Sequence, residues 1–80
     1  MQKYIRLFSY ENAMKVIKFI RENFEGQYKG AQITEDCIIV DVQDWNKLET
    51  FIKTLTTNYE ISDIQPYIIK QEIIDKFPFL

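Results

Sequence analysis

The apolar residues of this chain recur at two spacings, and the order of these spacings is the feature that most constrains the fold. A spacing of two is typical of a strand with one buried face, whereas spacings of three and four are typical of a helix. Along the 80 residues the spacing changes from two to three and four and returns to two in two short segments. It then changes again to three and four and ends at two. The predicted order of elements is strand, helix, strand, strand, helix, strand.

The first strand and helix follow from the start of the chain. Residues 3–9 are rich in β-branched and aromatic side chains that roughly alternate, so we expect a strand with Ile5 and Leu7 on its core face. Ser9 is a suitable N-cap for a helix near residues 10–25. The apolar stripe of this helix and the glycine suited to end it are Ala13, Val16, Ile17, Ile20, Phe24 and Gly26.

The middle of the chain predicts a hairpin. Two short strands over Tyr28 to Thr34 and Cys37 to Val42 flank the turn-forming pair Glu35 and Asp36. The core face of the second of these strands holds Ile38, Val40 and Val42.

The second helix and the last strand complete the pattern. Asp44 is a suitable N-cap for a helix near residues 44–58, and a final strand is expected over residues 61–69. Pro66 lies in that strand and favours a position at the edge of the sheet, because proline cannot donate to a ladder. The apolar stripe of the second helix consists of Leu48, Phe51, Ile52 and Leu55.

This order of elements predicts an α+β sandwich of ferredoxin-like topology. Two βαβ halves with right-handed crossovers interleave into one antiparallel sheet of order 4-1-3-2, with both helices on one face. The chain is interpreted as a single domain over residues 1–80, with a core over 1–69 and an apolar extension over 70–80. This extension holds five large apolar side chains, so we expect it to pack against something.

Charge disfavours a general polyphosphate binder. The net charge is −2, and it is divided unevenly: residues 1–30 carry six Lys or Arg and three Glu, whereas residues 31–80 carry four Lys and nine Asp or Glu. Electrostatic nucleic-acid binders are usually strongly basic. The acidic second part is better suited to a basic protein surface.

The chain lacks the residues that most enzymatic reactions require. The chain has no histidine, no glycine-rich phosphate loop and a single cysteine, Cys37. Asp36, Asp41, Asp44 and Asp63 follow no metal-loop spacing and suit turns, caps and strand surfaces instead. We therefore predict no catalytic residue, no cofactor and no metal. The lone cysteine and the absence of a long apolar run predict a cytoplasmic protein without a membrane span.

The sharpest feature is the second face of the first strand. By alternation, Tyr4, Arg6, Phe8 and Tyr10 project there with Ile39 beside them, which predicts an aromatic platform with a cation. Arg6 is expected to pair across the strands with Asp41. Three arrangements remain open for these aromatic side chains: burial by the extension, packing in a face-to-face homodimer, or individual exposure.

These considerations yield the candidate partner-binding residues. Trp45, in the first turn of the second helix, either packs back onto the strand end or is an exposed anchor. The full set of candidates is Tyr4, Arg6, Phe8, Tyr10, Ile39, Trp45, Phe77 and Phe79.

The sequence favours a small acidic, non-enzymatic binding module that contacts another protein or its own copy. One form of this hypothesis is an inhibitor or regulator of a nucleic-acid-handling protein, of the kind that mobile elements encode. A first alternative is single-stranded nucleic-acid binding through the aromatic sheet face, by base stacking. A second alternative is a regulatory domain that binds a small ligand as a dimer.

Overall fold

A computed structural model describes residues 2–63 of the chain, and these form the predicted order of elements. The six elements are β1 (Gln2–Arg6), α1 (Tyr10–Asn23), β2 (Tyr28–Gln32), β3 (Cys37–Val42), α2 (Trp45–Leu55) and β4 (Glu60–Asp63). Pro66, the rest of the predicted final strand and the extension over 70–80 lie outside the described residues.

The four strands form one antiparallel sheet in the order β2-β3-β1-β4. This confirms the predicted order 4-1-3-2, with β1 and β3 in the centre. In the central ladder Tyr4 lies opposite Ile39, and Arg6 lies opposite Cys37. The fold of the described residues is therefore an α+β arrangement of one sheet and two helices.

Both helices begin where the sequence places a cap. The Ser9 side-chain oxygen accepts a hydrogen bond from the Asn12 amide at 3.2 Å. Asp44 Oδ1 likewise accepts from the Lys47 amide at 3.1 Å. Each bond satisfies an amide that would otherwise lack a partner in the first helical turn, so these two residues determine where the helices start.

The ends of α1 and α2 come earlier than the sequence predicts. α1 ends at Asn23, and a turn follows in which the Gln27 amide donates to the Phe24 carbonyl at 2.8 Å. Gly26 has a φ of 73° in this turn, a value that glycine adopts without steric cost. α2 ends at Leu55, because Thr56 is extended.

Two strands are also shorter than predicted. β1 ends at Arg6 because the chain turns into α1 within residues 7–9, so the expected strand over 3–9 is wrong at its end. β2 ends at Gln32, since the amides of Ile33 and Thr34 both donate to the Cys37 carbonyl, at 2.9 and 3.3 Å, instead of continuing a regular ladder.

The main core lies between the helices and one face of the sheet. The two helices supply residues from their predicted stripes, and the central strands supply Ile5, Ile38 and Val40. No polar or charged residue is buried within residues 2–63. The buried members of this cluster are Ile5, Leu7, Ala13, Val16, Ile17, Ile20, Phe24, Ile38, Val40, Val42, Leu48 and Ile52.

A second set of buried residues lies on the opposite side of the sheet, which we call the outer face. By register, Ala31 of β2 and Tyr4 of β1 flank Ile39 of β3 there, and Cys37 lies two residues from Ile39 on the same strand. Ala31, Cys37 and Ile39, named the outer row from here on, are buried but do not belong to the helix-side core cluster.

Neither α1 nor α2 has the length and apolar composition that a helix needs to cross a membrane, and these are the helices of the described part of the chain.

The helix-side core supplies the first prediction. Ile20 is fully buried on α1, so Ile20→Ala removes apolar contacts and leaves a cavity, and we expect it to lower the free energy of unfolding by about 2–5 kcal/mol. Lys53→Ala, on the exposed surface of α2, should change it by less than about 0.5 kcal/mol. Urea unfolding of both variants measures the difference, and similar losses would contradict the assignment of this core.

Candidate functional site

The turn between β1 and α1 is the most unusual part of the described backbone. Three residues separate the strand from the helix, and the middle one, Phe8, has a φ of 55°. A positive φ is uncommon for a bulky side chain, because Cβ crowds the neighbouring carbonyl. Leu7 before it is buried, and its amide donates to the Asp36 carbonyl at 2.8 Å. The turn is thereby attached to the β2–β3 connection.

The ring of Phe8 remains in contact with solvent despite this backbone conformation. The residue is 39% exposed, and Tyr10, the first residue of α1, is 57% exposed. Both flank the capping residue Ser9, so they are two residues apart in the chain, at the junction of β1 and α1. Among residues 2–63 these are the exposed large hydrophobic residues.

Arg6 contacts the ring of Phe8 directly. Its guanidinium carbon lies 4.6 Å from the ring centroid, within the range of a cation–π interaction. Its Nε donates to Asp36 Oδ2 at 3.2 Å. The hydrogen bond to Asp36 raises the pKa of Arg6. The aspartate therefore holds the cation that lies over the aromatic ring.

Asp36 is itself held by its neighbours. Thr34 Oγ1 donates to Oδ1 at 3.0 Å, and the thiol of Cys37 lies 3.5 Å from the same oxygen. The hydrogen bond from Thr34, followed by those from Arg6 and Cys37, lowers the pKa of Asp36 below its ordinary value. This carboxylate is therefore a fixed acceptor that joins the hairpin to β1.

The network continues to the outer face through Cys37. The Tyr4 hydroxyl and the Cys37 sulfur are 2.7 Å apart. A thiol has one proton, so when it donates to Asp36 the Tyr4 hydroxyl donates to the sulfur. We call Arg6, Phe8, Tyr10 and Asp36 the aromatic corner. Cys37, on the sheet, contacts Asp36 of this group, and Tyr4 contacts Cys37.

Three carboxylates adjoin members of the aromatic corner in the chain or in the sheet. Glu11 follows Tyr10 in the first turn of α1, Glu35 precedes Asp36, and Glu60 lies opposite Arg6 in the β1–β4 ladder. All three are exposed. A nearby cation, Lys15, forms an ion pair with Glu11 at 3.1 Å. The charged residues that adjoin the aromatic corner in the chain and in the ladder are thus mainly acidic.

The predicted platform residues separate into two groups. Tyr4, Arg6 and Ile39 share the outer face as predicted, but Ile39 has no exposed surface. Phe8 and Tyr10 lie beyond the end of β1, so strand alternation does not place them on the sheet and that part of the prediction is wrong.

Two further predictions concern single side chains. The Arg6–Asp41 pair is wrong: Asp41 lies opposite Gln2, at the other end of the ladder, and Arg6 bonds Asp36 instead. Trp45 is half-buried against the helix-side core, with Lys3 Nζ 5.0 Å from its ring centroid, as its packing alternative predicts.

The candidates Phe77 and Phe79 lie outside the described residues. Within residues 2–63, no three His, Cys, Asp or Glu side chains are grouped so that they could hold a metal ion.

Sequence reasoning missed a second aromatic feature, on the surface of the two helices. The rings of Phe19 and Phe51 stack with centroids 4.0 Å apart and an interplanar angle of 6°. Shallow grooves of about 630 and 230 Å³ lie beside this stack. Phe19 lies outside the predicted apolar stripe of α1, although it directly precedes Ile20, a member of that stripe. The spacing of apolar residues therefore did not predict the stack. Both rings are half-buried, and charged side chains of both signs line the grooves.

The backbone of Phe8 supplies a stability prediction. Glycine adopts a positive φ without the crowding that an alanine Cβ causes, so we expect Phe8→Gly to be about 1 kcal/mol more stable than Phe8→Ala. The control is Thr54 on α2, where the helical backbone should make Gly less stable than Ala by about 0.5–1 kcal/mol. Urea unfolding of the four variants measures whether glycine is the more stable residue at position 8 and alanine the more stable at position 54. A higher free energy of unfolding for alanine at both positions would contradict the prediction.

The bonds to Asp36 predict a dependence of stability on pH. Because its pKa is lower in the folded state, the carboxylate stabilises that state fully above its unfolded value, about 4, and this contribution is lost as the pH falls through the folded value. We expect Asp36→Asn to flatten the decrease in melting temperature below about pH 5. Glu35→Gln removes an adjacent charge without removing the bonded carboxylate, so it should keep the acid sensitivity. Equal profiles for all three proteins would refute the role of Asp36.

Comparisons of this chain with protein-family models, with curated proteins and with solved structures found no match. The function proposed below therefore rests on the geometry of the aromatic corner.

Proposed function

We propose that this chain is a small non-enzymatic binding module, of ferredoxin-like arrangement, that contacts another protein through the aromatic corner. The observation that carries the proposal is the position of Phe8 and Tyr10, two exposed aromatic residues on either side of one helix cap. A few aromatic side chains typically supply most of the binding energy of a protein interface. Two such residues at one corner fit that role.

The backbone of Phe8 adds a second reason. Its left-handed conformation costs about 1–2 kcal/mol relative to an ordinary one, and the partly exposed ring recovers little of this through burial. Strained residues of this kind concentrate at binding and active sites, where their surroundings hold them. Here Arg6 lies over the ring and Asp36 holds Arg6. A ring fixed before binding loses less conformational entropy when a partner arrives.

The charges around the corner favour a particular kind of partner. Glu11, Glu35 and Glu60 are exposed and adjoin members of the aromatic corner in the chain or in the ladder, and the positive charge of Arg6 is paired with Asp36. A complementary surface would present an apolar pocket with lysine and arginine at its rim. Proteins that handle nucleic acids carry such basic surfaces. An inhibitor or regulator of one of them, of the kind that mobile elements encode, fits the size and charge of this chain.

Base stacking on the sheet receives less support. A stacking platform needs exposed rings on the sheet face, and the outer face of the described residues offers Tyr4 beside the fully buried Ile39. The carboxylates near Phe8 would repel a phosphate backbone. Oligonucleotide binding and dimer formation are therefore treated as alternative outcomes of the same experiment.

The test compares two corner variants with a matched control in the full chain. Phe8→Asp and Tyr10→Ala each remove an exposed ring, and aspartate tolerates a positive φ better than phenylalanine does. We expect both to fold, with melting temperatures near that of the unchanged chain, and to weaken partner binding at least about tenfold, or 1.4 kcal/mol. Thr50→Asp adds the same charge on the exposed surface of α2 and should bind normally.

The measurement has three arms. Tagged chains are used for affinity capture with quantitative mass spectrometry, and binding to each purified partner is then measured by calorimetry. A labelled single-stranded oligonucleotide at low salt and the solution mass are measured in parallel. Partners that bind Thr50→Asp and neither corner variant support the proposal. Unchanged partner affinity in both corner variants refutes it, as does binding of the oligonucleotide alone.

A further inference from the structure

The two oxygens of the Asp36 carboxylate have different partners. Oδ2 accepts a hydrogen bond from Arg6 Nε at 3.2 Å, whereas Oδ1 accepts one from Thr34 Oγ1 at 3.0 Å. One oxygen is therefore bonded to β1 and the other to the connection between β2 and β3. A carboxylate that is held through one oxygen presents the other in a defined direction, so the bond from Thr34 directs Oδ2 toward Arg6.

Thr34 is the stronger of the two donors to Oδ1. The second donor is the thiol of Cys37, a member of the outer row, at 3.5 Å, and a thiol is a weak donor. The same sulfur lies 2.7 Å from the Tyr4 hydroxyl. The hydroxyl of Thr34 is consequently the main restraint on this oxygen, and its hydrogen bond is also the largest cause of the lowered pKa of Asp36.

The backbone of the connection between β2 and β3 sets the position of Thr34 itself. The Thr34 amide donates to the Cys37 carbonyl at 3.3 Å, and the Asp36 carbonyl accepts from the Leu7 amide at 2.8 Å. The connection is thus attached both to β3 and to the turn that precedes α1. The Thr34 hydroxyl therefore donates from a fixed place, although the residue is exposed.

Arg6 depends on an acceptor that is already held. Its side chain is 47% exposed, and it bonds Asp36 through Nε. An exposed ion pair gains little net stability, because the ordering of two flexible side chains offsets their attraction. A fixed carboxylate reduces this cost, and the bonded guanidinium lies 4.6 Å from the centroid of the Phe8 ring.

We propose that Thr34 is a positioning residue of the aromatic corner. Its hydroxyl directs the carboxylate of Asp36, which keeps the guanidinium of Arg6 over the ring of Phe8. A change in the connection between β2 and β3 is thereby transmitted to an exposed ring in the connection between β1 and α1. The consequence for a partner rests on the function proposed above, whereas the position of Arg6 does not.

Nuclear magnetic resonance of the Arg6 side chain tests this relation in the full chain. Protons above an aromatic ring are shifted upfield, and Phe8→Ala gives their signals without the ring. Thr34→Val keeps the shape of the side chain and removes the hydroxyl, so we expect the Arg6 signals to move at least halfway toward those of Phe8→Ala. Thr34→Ser keeps a hydroxyl and should retain the upfield shift. Thr50→Val removes the hydroxyl that donates to the Asn46 carbonyl on α2, so this matched control should leave the Arg6 signals in place.

A second comparison measures whether Thr34 acts through Asp36. Asp36→Ala should itself move the Arg6 signals, and Thr34→Val added to it should cause no further movement. The proposal is overturned if the Arg6 signals are not shifted upfield in the unchanged chain, stay in place in Thr34→Val, or move further in the double variant. Movement in Thr50→Val would also overturn it. Thr34→Ala, which also lacks the hydroxyl, replaces Thr34→Val if that variant does not fold.

Partners recovered with the unchanged chain supply a functional measurement. Their affinity should fall in Thr34→Val and return in Thr34→Ser. A partner that depends on Phe8, together with Arg6 signals that stay in place in Thr34→Val, would refute the role of Thr34 and leave the proposed function intact. Displaced Arg6 signals without any partner that depends on Phe8 would support the role of Thr34 and refute the proposed function.

Discussion

The antiparallel pairing of β1 with β3 is the constraint on which the rest of the described structure depends. Its register sets Ile5 against Ile38 toward the helices, and Arg6 against Cys37 on the other side. Asp36, one residue before β3, therefore comes within bonding distance of Arg6. A shift of one residue would turn every side chain of the strand to the opposite face, which would expose the core and remove the aromatic corner together.

The aromatic corner combines a strained backbone with a local polar network. Phe8 adopts a positive φ between a buried residue and a helix cap, both of which have fixed positions. Arg6 and Asp36 then hold the environment of its ring. Phe8 adopts this conformation in the three-residue connection between β1 and α1, and we infer that the result is a preorganised aromatic surface. We interpret that surface as the contact site because exposed rings in a rigid setting bind with little further ordering.

The sheet has apolar residues on both sides, which distinguishes it from a sheet with one solvated face. β3 illustrates this: five of its six residues are buried, and the sixth, Asp41, is half-buried. A continuous apolar run of this kind is typical of a strand with covered faces on both sides. Alternation alone would assign Ile39 to solvent, whereas the structure buries this residue.

The sequence by itself determined the order of the elements, the two helix caps, the bounds of β3 and the order of the strands. These features depend on local chemistry: periodic apolar residues, a side-chain oxygen before a helix, and the short connection of a hairpin. The tertiary structure alone decided the end of β1, the partner of Arg6 and the burial of Ile39. Each of these depends on register or on contacts between residues distant in the chain, such as Leu7 with Asp36. Local pattern cannot specify such contacts, because the same alternation is compatible with several registers and with either covering of a sheet face.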